Sequence, residues 1–359
     1  MIKIYQKYLI QKFITIFFMT FFIFSILGFI MGIIQELKFF SELNVNFYFP
    51  IMLVLLDLPS LLFQIIPFII ILTVIFLFLK LEENGELITF KNNGLNNFKV
   101  LKILSSTSLI IGILMVIIFY NLSAILKFNY LNIKQNYTND GKYLASITEN
   151  GLWIKDQIND KVTFINAKKI ENNYLLNVDI LQLDENFDYL NSIFVDKVNI
   201  KNEMWILEKP LIVKKDNSTN SLDEMRILTN FNYQKINNLY SDLNSLTLWG
   251  LIDLKNDYKD VNYSTTEIDY QIQRVSAFPI YLAIMSILSI TMMMNINRNS
   301  SKFFIITVGV FLSVIIYYMF DFFGIIGKNE KIPLILSIWG PLSILIIISI
   351  IGLIKIDEK

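Results

Sequence analysis

The sequence predicts an α-helical membrane protein with six transmembrane helices, three on each side of an inserted extramembrane β-domain of sandwich or jelly-roll type. Three observations carry this prediction. The 359-residue chain is 54% hydrophobic and its mean hydropathy is +0.52, well above a soluble globular average. Long uncharged apolar runs recur, each about the 20 residues needed to cross a hydrocarbon core of roughly 30 Å. Between the third and fourth runs, short alternating segments replace them.

The first run, Phe13 to Ile34, is uncharged and too long for the apolar part of a signal peptide. No small-residue cleavage site follows Gly32, so it reads as a retained anchor. The second, Pro50 to Leu79, exceeds one perpendicular span and contains Asp57, Pro59 and Pro67. It reads as an interfacial start, a prolyl bend and then the span. Ile103 to Leu126, Val275 to Ile296 and Ile332 to Ile354 also qualify, and Phe303 to Phe320 is slightly shorter and closes on Asp321. The expected organisation is residues 1–126 for helices one to three, 127–274 for the β-domain and a return helix, and 275–359 for helices four to six.

Lysine and arginine in the short loops set the orientation. One side holds Lys3, Lys7, Lys12, Lys80, Lys91, Lys99, Lys102, Arg298, Lys302, Lys355 and Lys359. The other side's short loops hold only Lys38, Lys328 and Lys331. Both termini are therefore expected in the cytoplasm. The long segment from Lys127 to Arg274 then lies outside, in the periplasm of a Gram-negative cell.

That segment reads as β. Gly151 to Asp156, Lys161 to Asn166, Tyr174 to Leu183, Ser192 to Ile200 and Glu203 to Val213 are short stretches bounded by turn residues. Pro210 marks an edge or bulge, and Asp216 to Ser221 a polar loop. From Thr247 to Lys259 the pattern becomes helical.

Absences narrow the chemistry. With no Cys and no His, the chain has no disulfide, thiol nucleophile, usual zinc constellation or histidine triad. The net charge is zero, which gives no footprint for nucleic acid. No Gly-x-x-x-x-Gly-Lys-Ser/Thr loop occurs, so ATP binding of that kind belongs to a partner, if anywhere. No carboxylate pair at helical spacing lies within a span.

The loop from Lys80 to Lys102 is the most informative short stretch. Leu87, Ile88 and Phe90 cluster behind Glu86, which suits a short amphipathic helix, at about 82–98, with Gly94 as its C-cap. Such a helix either docks a cytoplasmic partner or lies on the lipid interface.

At this point the residues resemble a known family. "GELITFKNNGL" at 85–95, "GLWIKD" at 151–156, "SLTLWGL" at 245–251, "QIQRVSAFPIYLAIMSILSI" at 271–290 and "IPLILSIWGP" at 332–341 are similar to the lipopolysaccharide-export permeases LptF and LptG. The order of three spans, β-jelly-roll and three spans is similar over nearly the whole chain, and "GLWIKD" and "SLTLWGL" favour LptG. The resemblance implies a permease that extracts lipopolysaccharide from the inner membrane without covalent chemistry and without a cofactor of its own. It implies a second permease of the family, a cytoplasmic LptB ATPase dimer that holds ATP and Mg, and an LptC-like periplasmic β-jelly-roll protein.

The resemblance also assigns residues. Glu86, with Leu87, Phe90 and Gly94, falls on the ATPase-coupling helix. Lys38 falls on a basic position that meets substrate phosphates, and Gly32 and Phe39 stand at two other such positions without a charge. Arg274 supplies positive charge at the outer mouth of the fourth span, with Asp57 and Asp321 as pairing partners or water-facing acids. Phe21, Phe22, Phe24 and Phe29 on the first span, and Phe311, Tyr317 and Phe320 on the fifth, are candidates for the acyl-chain surface. Two other readings stay open on the residues alone: a non-transporting scaffold or sensor with a β-domain, and a carboxylate-based lipid or glycan transferase.

Overall fold

A computed structural model describes residues 3–41, 45–92, 97–135, 137, 152–158, 161–171, 173–185, 187–216, 218–233, 235–236, 242–260, 263–295 and 301–357. The chain divides into two compact units. One comprises residues 1–127 and 266–359, and the other residues 128–265.

The first unit is helical. It contains α1 (Ile4–Phe39), α2 (Tyr48–Glu83), a short α3 (Glu86–Asn92), α4 (Asn97–Leu114) and α5 (Asn121–Gln135), whose end runs into the second unit. After the insert (whose own helix is α6, Leu248–Asp260) come α7 (Thr266–Asn295), α8 (Lys302–Lys328) and α9 (Leu334–Asp357). Among the described residues six helices are long and apolar enough to cross a membrane, with α4 and α5 forming one of them. α1 and α2 have 36 residues each, about 54 Å at 1.5 Å per residue, so both outrun the hydrocarbon core.

Burial separates the helices by role. Two thirds of the apolar windows of α2 and α7 are covered by other helices, against about a fifth for α1, α4 and α8. α2 is apolar around its whole circumference, as a central helix must be, with Ile66, Ile69, Ile70, Ile75 and Leu77 almost inaccessible. Phe63 of α2 stacks on Phe278 of α7 at 4.4 Å between centroids and also meets Tyr120 at 5.1 Å.

α2, the second expected segment, carries Pro59 and Pro67 inside its helix. A proline is tolerated in such a helix because neighbouring helices and local adjustment re-satisfy the freed carbonyl. The third spanning helix has its own irregularity, a π-helical turn at Met115–Tyr120. Asn121 Nδ2 donates to Ile117 O at 2.8 Å there and meets one of the carbonyls the wider turn displaces.

Small residues let helices approach closely where no water drives them together. A Cβ on Gly112 of α4 would lie 2.6 Å from Pro279 Cα of α7, and one on Gly309 of α8 would lie 2.2 Å from Ile75 Cδ1 of α2. The first of these meets backbone and cannot be relieved by rotating a side chain.

The second unit is an antiparallel sheet of eight strands: β1 (Leu152–Ile158), β2 (Lys161–Glu171), β3 (Tyr174–Leu183), β4 (Tyr189–Asn199), β5 (Met204–Glu208), β6 (Leu211–Lys214), β7 (Thr219–Ser221) and β8 (Glu224–Leu228). The order is β1-β2-β3-β4-β5-β8, with β6 lying end to end with β5 along β4 and β7 beside β6. The first half of β4 pairs with β6, Ile193 opposite Ile212, while its end pairs with β5, Val198 opposite Leu207. The expected strand Glu203 to Val213 runs along β4 in one register as β5 and β6, with the expected irregularity at Pro210, which lacks a ladder donor, and at Lys209, which adopts φ 53° before it. The expected polar loop contains β7, and β8 was not anticipated.

Trp205 is inaccessible at the centre of this unit, beside Leu152, Ile180, Ile193 and Phe231, and its indole N–H donates to Phe231 O at 2.8 Å. Tyr263 O–H accepts from Lys155 N at 3.0 Å and packs at the edge of the same core.

Two expected outcomes test this account. Gly112→Ala lowers the stability of the helical unit by about 1–3 kcal/mol, read as a lower melting temperature in detergent; an unchanged melting point would remove the close crossing. Trp205→Ala costs about 3–5 kcal/mol in the sheet unit, read as early loss of its β-sheet circular dichroism signal on heating.

Candidate functional site

α3 begins where α2 ends, and glycine makes the turn. Gly85 has φ +67°, a left-handed conformation that caps α2, with its N–H bonded to Glu82 O at 2.9 Å. The turn brings Glu86, the first residue of α3, back against the N-terminal part of α1.

Two helix faces interlock there. Tyr8 and Lys12 stand four residues apart on α1, and Glu86 and Phe90 four apart on α3, so each pair lies on one face. Lys12 Nζ reaches both Glu86 oxygens, at 2.6 and 2.7 Å. Tyr8 O–H donates to Glu86 Oε2 at 2.8 Å, and Asn84 Nδ2 donates to Oε1 at 3.0 Å. Phe90 meets the Tyr8 ring edge-on at 6.4 Å, and Lys12 Nζ sits 4.6 Å from the centre of that ring. Only about a fifth of each charged side chain is exposed, so the pair is shielded more than an ordinary surface bridge. Burial works to raise the Glu86 carboxyl. Hydrogen bonds from Lys12, Tyr8 and Asn84 and the Lys12 charge outweigh that and hold it below the usual carboxylate range.

A second acid flanks the turn. Glu83, at the end of α2, pairs with Lys302, the first residue of α8, and both are well exposed. Ser301 caps α8 by accepting from Phe304 N at 3.2 Å.

Of the expected coupling residues, Glu86, Leu87 and Phe90 lie on α3, while Gly94 lies outside the described residues. Ile88 on α3 is more than half exposed. Nothing in the sequence pattern pointed to Tyr8 and Lys12. Their signal was available as Tyr-x-x-x-Lys at the start of an apolar helix, but lysines there read equally well as orientation charges.

The expected substrate residues fall in separate places. Lys38 is exposed near the C-terminal end of α1. Arg274 is exposed on α7, within electrostatic reach of Tyr270, as is Asp321 of α8. Lys328 Nζ also stands 5.0 Å over the Tyr270 ring, so this cluster gathers two cations and one acid around one tyrosine. Asp57 is paired with Lys127 at 2.5 Å, both largely covered, rather than with Lys38 or Arg274. Phe22, Phe311 and Tyr317 are open, and Phe29 is half-buried. Phe21, Phe24 and Phe320 are engaged in packing, against Phe119 at 5.8 Å, Phe68 at 5.1 Å and Tyr281 at 4.4 Å. Among the described residues no group of carboxylates is arranged to hold a metal.

Residues 7–355, essentially the whole chain, match the family Lipopolysaccharide export system permease LptF/LptG, a family that takes both permeases together. An uncharacterised protein of Rickettsia prowazekii (strain Madrid E) is 27% identical over 176 residues, which is 48% of this chain and 46% of that relative. The match therefore spans about half the relative's length.

The lowered Glu86 carboxyl has a definite pH consequence. Its contribution is present in full above the unfolded value, near 4.5, and is lost only as pH falls through the lower folded value. A carbon-13 titration of labelled glutamate, assigned by comparison with Glu86→Gln, places the Glu86 midpoint below that unfolded value of 4.5. A midpoint above that value would contradict the cluster.

Proposed function

Since the chain belongs to the lipopolysaccharide-export permease family LptF/LptG, we propose that it extracts lipopolysaccharide from the inner membrane as one of two permeases worked by a cytoplasmic ATPase. The observation that carries the proposal is the family match across 7–355 together with six spanning helices around an inserted antiparallel sheet. The chain is a multi-pass inner-membrane protein, and members of its family are transport permeases rather than enzymes.

The finer reading builds on that. The excess of lysine on the loops beside α3 supports cytoplasmic termini and a periplasmic sheet unit. α3 then faces the cytoplasm and docks an LptB-like ATPase dimer, with Ile88 beside Leu87 and Phe90 supplying apolar surface, Glu86 at its root and Gly94 beyond it. ATP and Mg stay on that partner, and this chain holds no cofactor. On this reading Lys38 and Arg274 meet phosphates on the glycolipid, and Phe24, Phe29, Tyr317 and Phe320 meet its acyl chains.

Expelling the lipid requires the cavity to narrow. Each acyl CH₂ buried is worth about 0.8 kcal/mol, so closing the apolar surface removes the gain that holds the chains. The sheet unit would hand the lipid to an LptC-like β-domain.

Affinity purification in mild detergent, followed by mass spectrometry of proteins and lipids, tests this. A P-loop ATPase, a second six-span permease and lipopolysaccharide are the expected companions. Recovery with bulk phospholipid alone would favour a scaffold, and turnover by the chain without an ATPase would favour a transferase. Within the complex, Ile88→Glu lowers ATPase recovery roughly tenfold, the effect of losing one buried aliphatic side chain.

A further inference from the structure

A carboxylate at the root of a docking helix would ordinarily be taken as a contact for the docked partner. Here both Glu86 oxygens are already used within the chain. Oε1 accepts from Lys12 and Asn84, and Oε2 from Lys12 and Tyr8. Phe90, one turn further along α3, is seated on the same tyrosine.

We propose that Tyr8 and Lys12 fasten α3 to α1, so that Glu86 acts as an intramolecular tether that turns a displacement of α3 into a displacement of the first spanning helix. This rests on the reading of α3 as the site of ATPase docking.

The geometry favours a tether over incidental packing for three reasons. The contacts come from two residues on each helix with matching four-residue spacing. They therefore resist both sliding and rotation of α3 against α1, which a single bridge does not. The pair is largely covered, unlike the exposed Glu83–Lys302 bridge three residues earlier. And α1 is a peripheral helix whose apolar window is mostly uncovered, so the contacts join α3 to the edge of the helical unit rather than to its centre. Gly85, in its left-handed conformation with nothing near where a Cβ would stand, joins α2 to α3 together with Asn84. A thrust on α3 can thus pivot at Gly85 and be carried to α1 through side chains.

Tyr8 and Lys12 are positioning residues under this proposal and touch neither lipid nor nucleotide. The test is a charge exchange in the assembled transporter, read as lipid released per ATP hydrolysed. Lys12→Glu leaves ATP hydrolysis and ATPase recovery in place but lowers release per ATP about fivefold, the ratio that ~1 kcal/mol corresponds to. Glu86→Lys lowers release at least as far, and the double exchange K12E/E86K returns it to within about twofold of the starting protein. The proposal is overturned if Lys12→Glu releases lipid normally while Glu86→Lys sheds the ATPase and the double exchange fails to rescue. Glu86 would then face the partner, and the transport reading would stand.

Should the unaltered chain recover no ATPase, the transport reading fails and the tether is judged on its own. The chain has no cysteine, so Tyr8→Cys with Phe90→Cys can be joined by a short thiol-reactive linker without background. Efficient joining within one chain supports the tether. No joining overturns it.

Discussion

The helical unit depends on one constraint: in hydrocarbon, a peptide group has no partner but another peptide group. That is why the apolar segments are helices, why Thr20, Thr73 and Ser289 turn their hydroxyls onto carbonyls of the preceding turn, and why the π-helical turn recruits Asn121. It also changes what packing means. Lipid tails are as apolar as leucine, so helices gain little by merely hiding aliphatic surface from them. Close approach has to supply the difference through dispersion. Gly112 against Pro279 and Gly309 against Ile75 sit where two backbones, or a backbone and a side chain, come nearer than any Cβ would permit.

The same constraint explains which features the sequence displays. Hydropathy over about 20 residues is an average, robust to individual substitutions, so six spans were readable from the residues alone. The strands were readable where alternation was sustained, as at Tyr174 to Leu183, which is one strand with those bounds. The local interruption at Pro210 was readable too: β5 and β6 follow one another along β4 in one register, Lys197 opposite Glu208 and Phe194 opposite Leu211, parted at Lys209 and Pro210. β8 was missed because Glu224–Leu228 carries charge on its exposed positions and is short; what identifies it is its pairing with β5, twenty residues away. In α2 the sequence shows Pro59 and Pro67 but not whether neighbours satisfy the groups they free, and both sit inside the helix.

The candidate site was legible as a segment and not as a geometry. The apolar cluster behind Glu86 marked a short helix, and α3 is there. What Glu86 touches depends on a partner more than seventy residues earlier in the chain, and charge alone did not distinguish Lys12 from Lys3 or Lys7. Asp57 shows the same limit, since its partner Lys127 lies seventy residues later. Glycine was informative in the wrong place. Gly94 suggested a cap at the end of α3, whereas the glycine that shapes the described site is Gly85, at its start.

These long-range pairs share a location that follows from physics. A charge at the bilayer centre is costly, and a charge in open water gains little from a partner. Between these limits, near a helix end that outruns the hydrocarbon, a partner is both worth having and affordable in desolvation. Lys12–Glu86 and Asp57–Lys127 occupy that zone, each with only about a fifth of either side chain exposed. An ion pair there is a directional link between helices, whereas the apolar contacts along the spans are not directional. The carboxylate of Glu86, accepting from an ammonium, a phenol and an amide at once, is such a link.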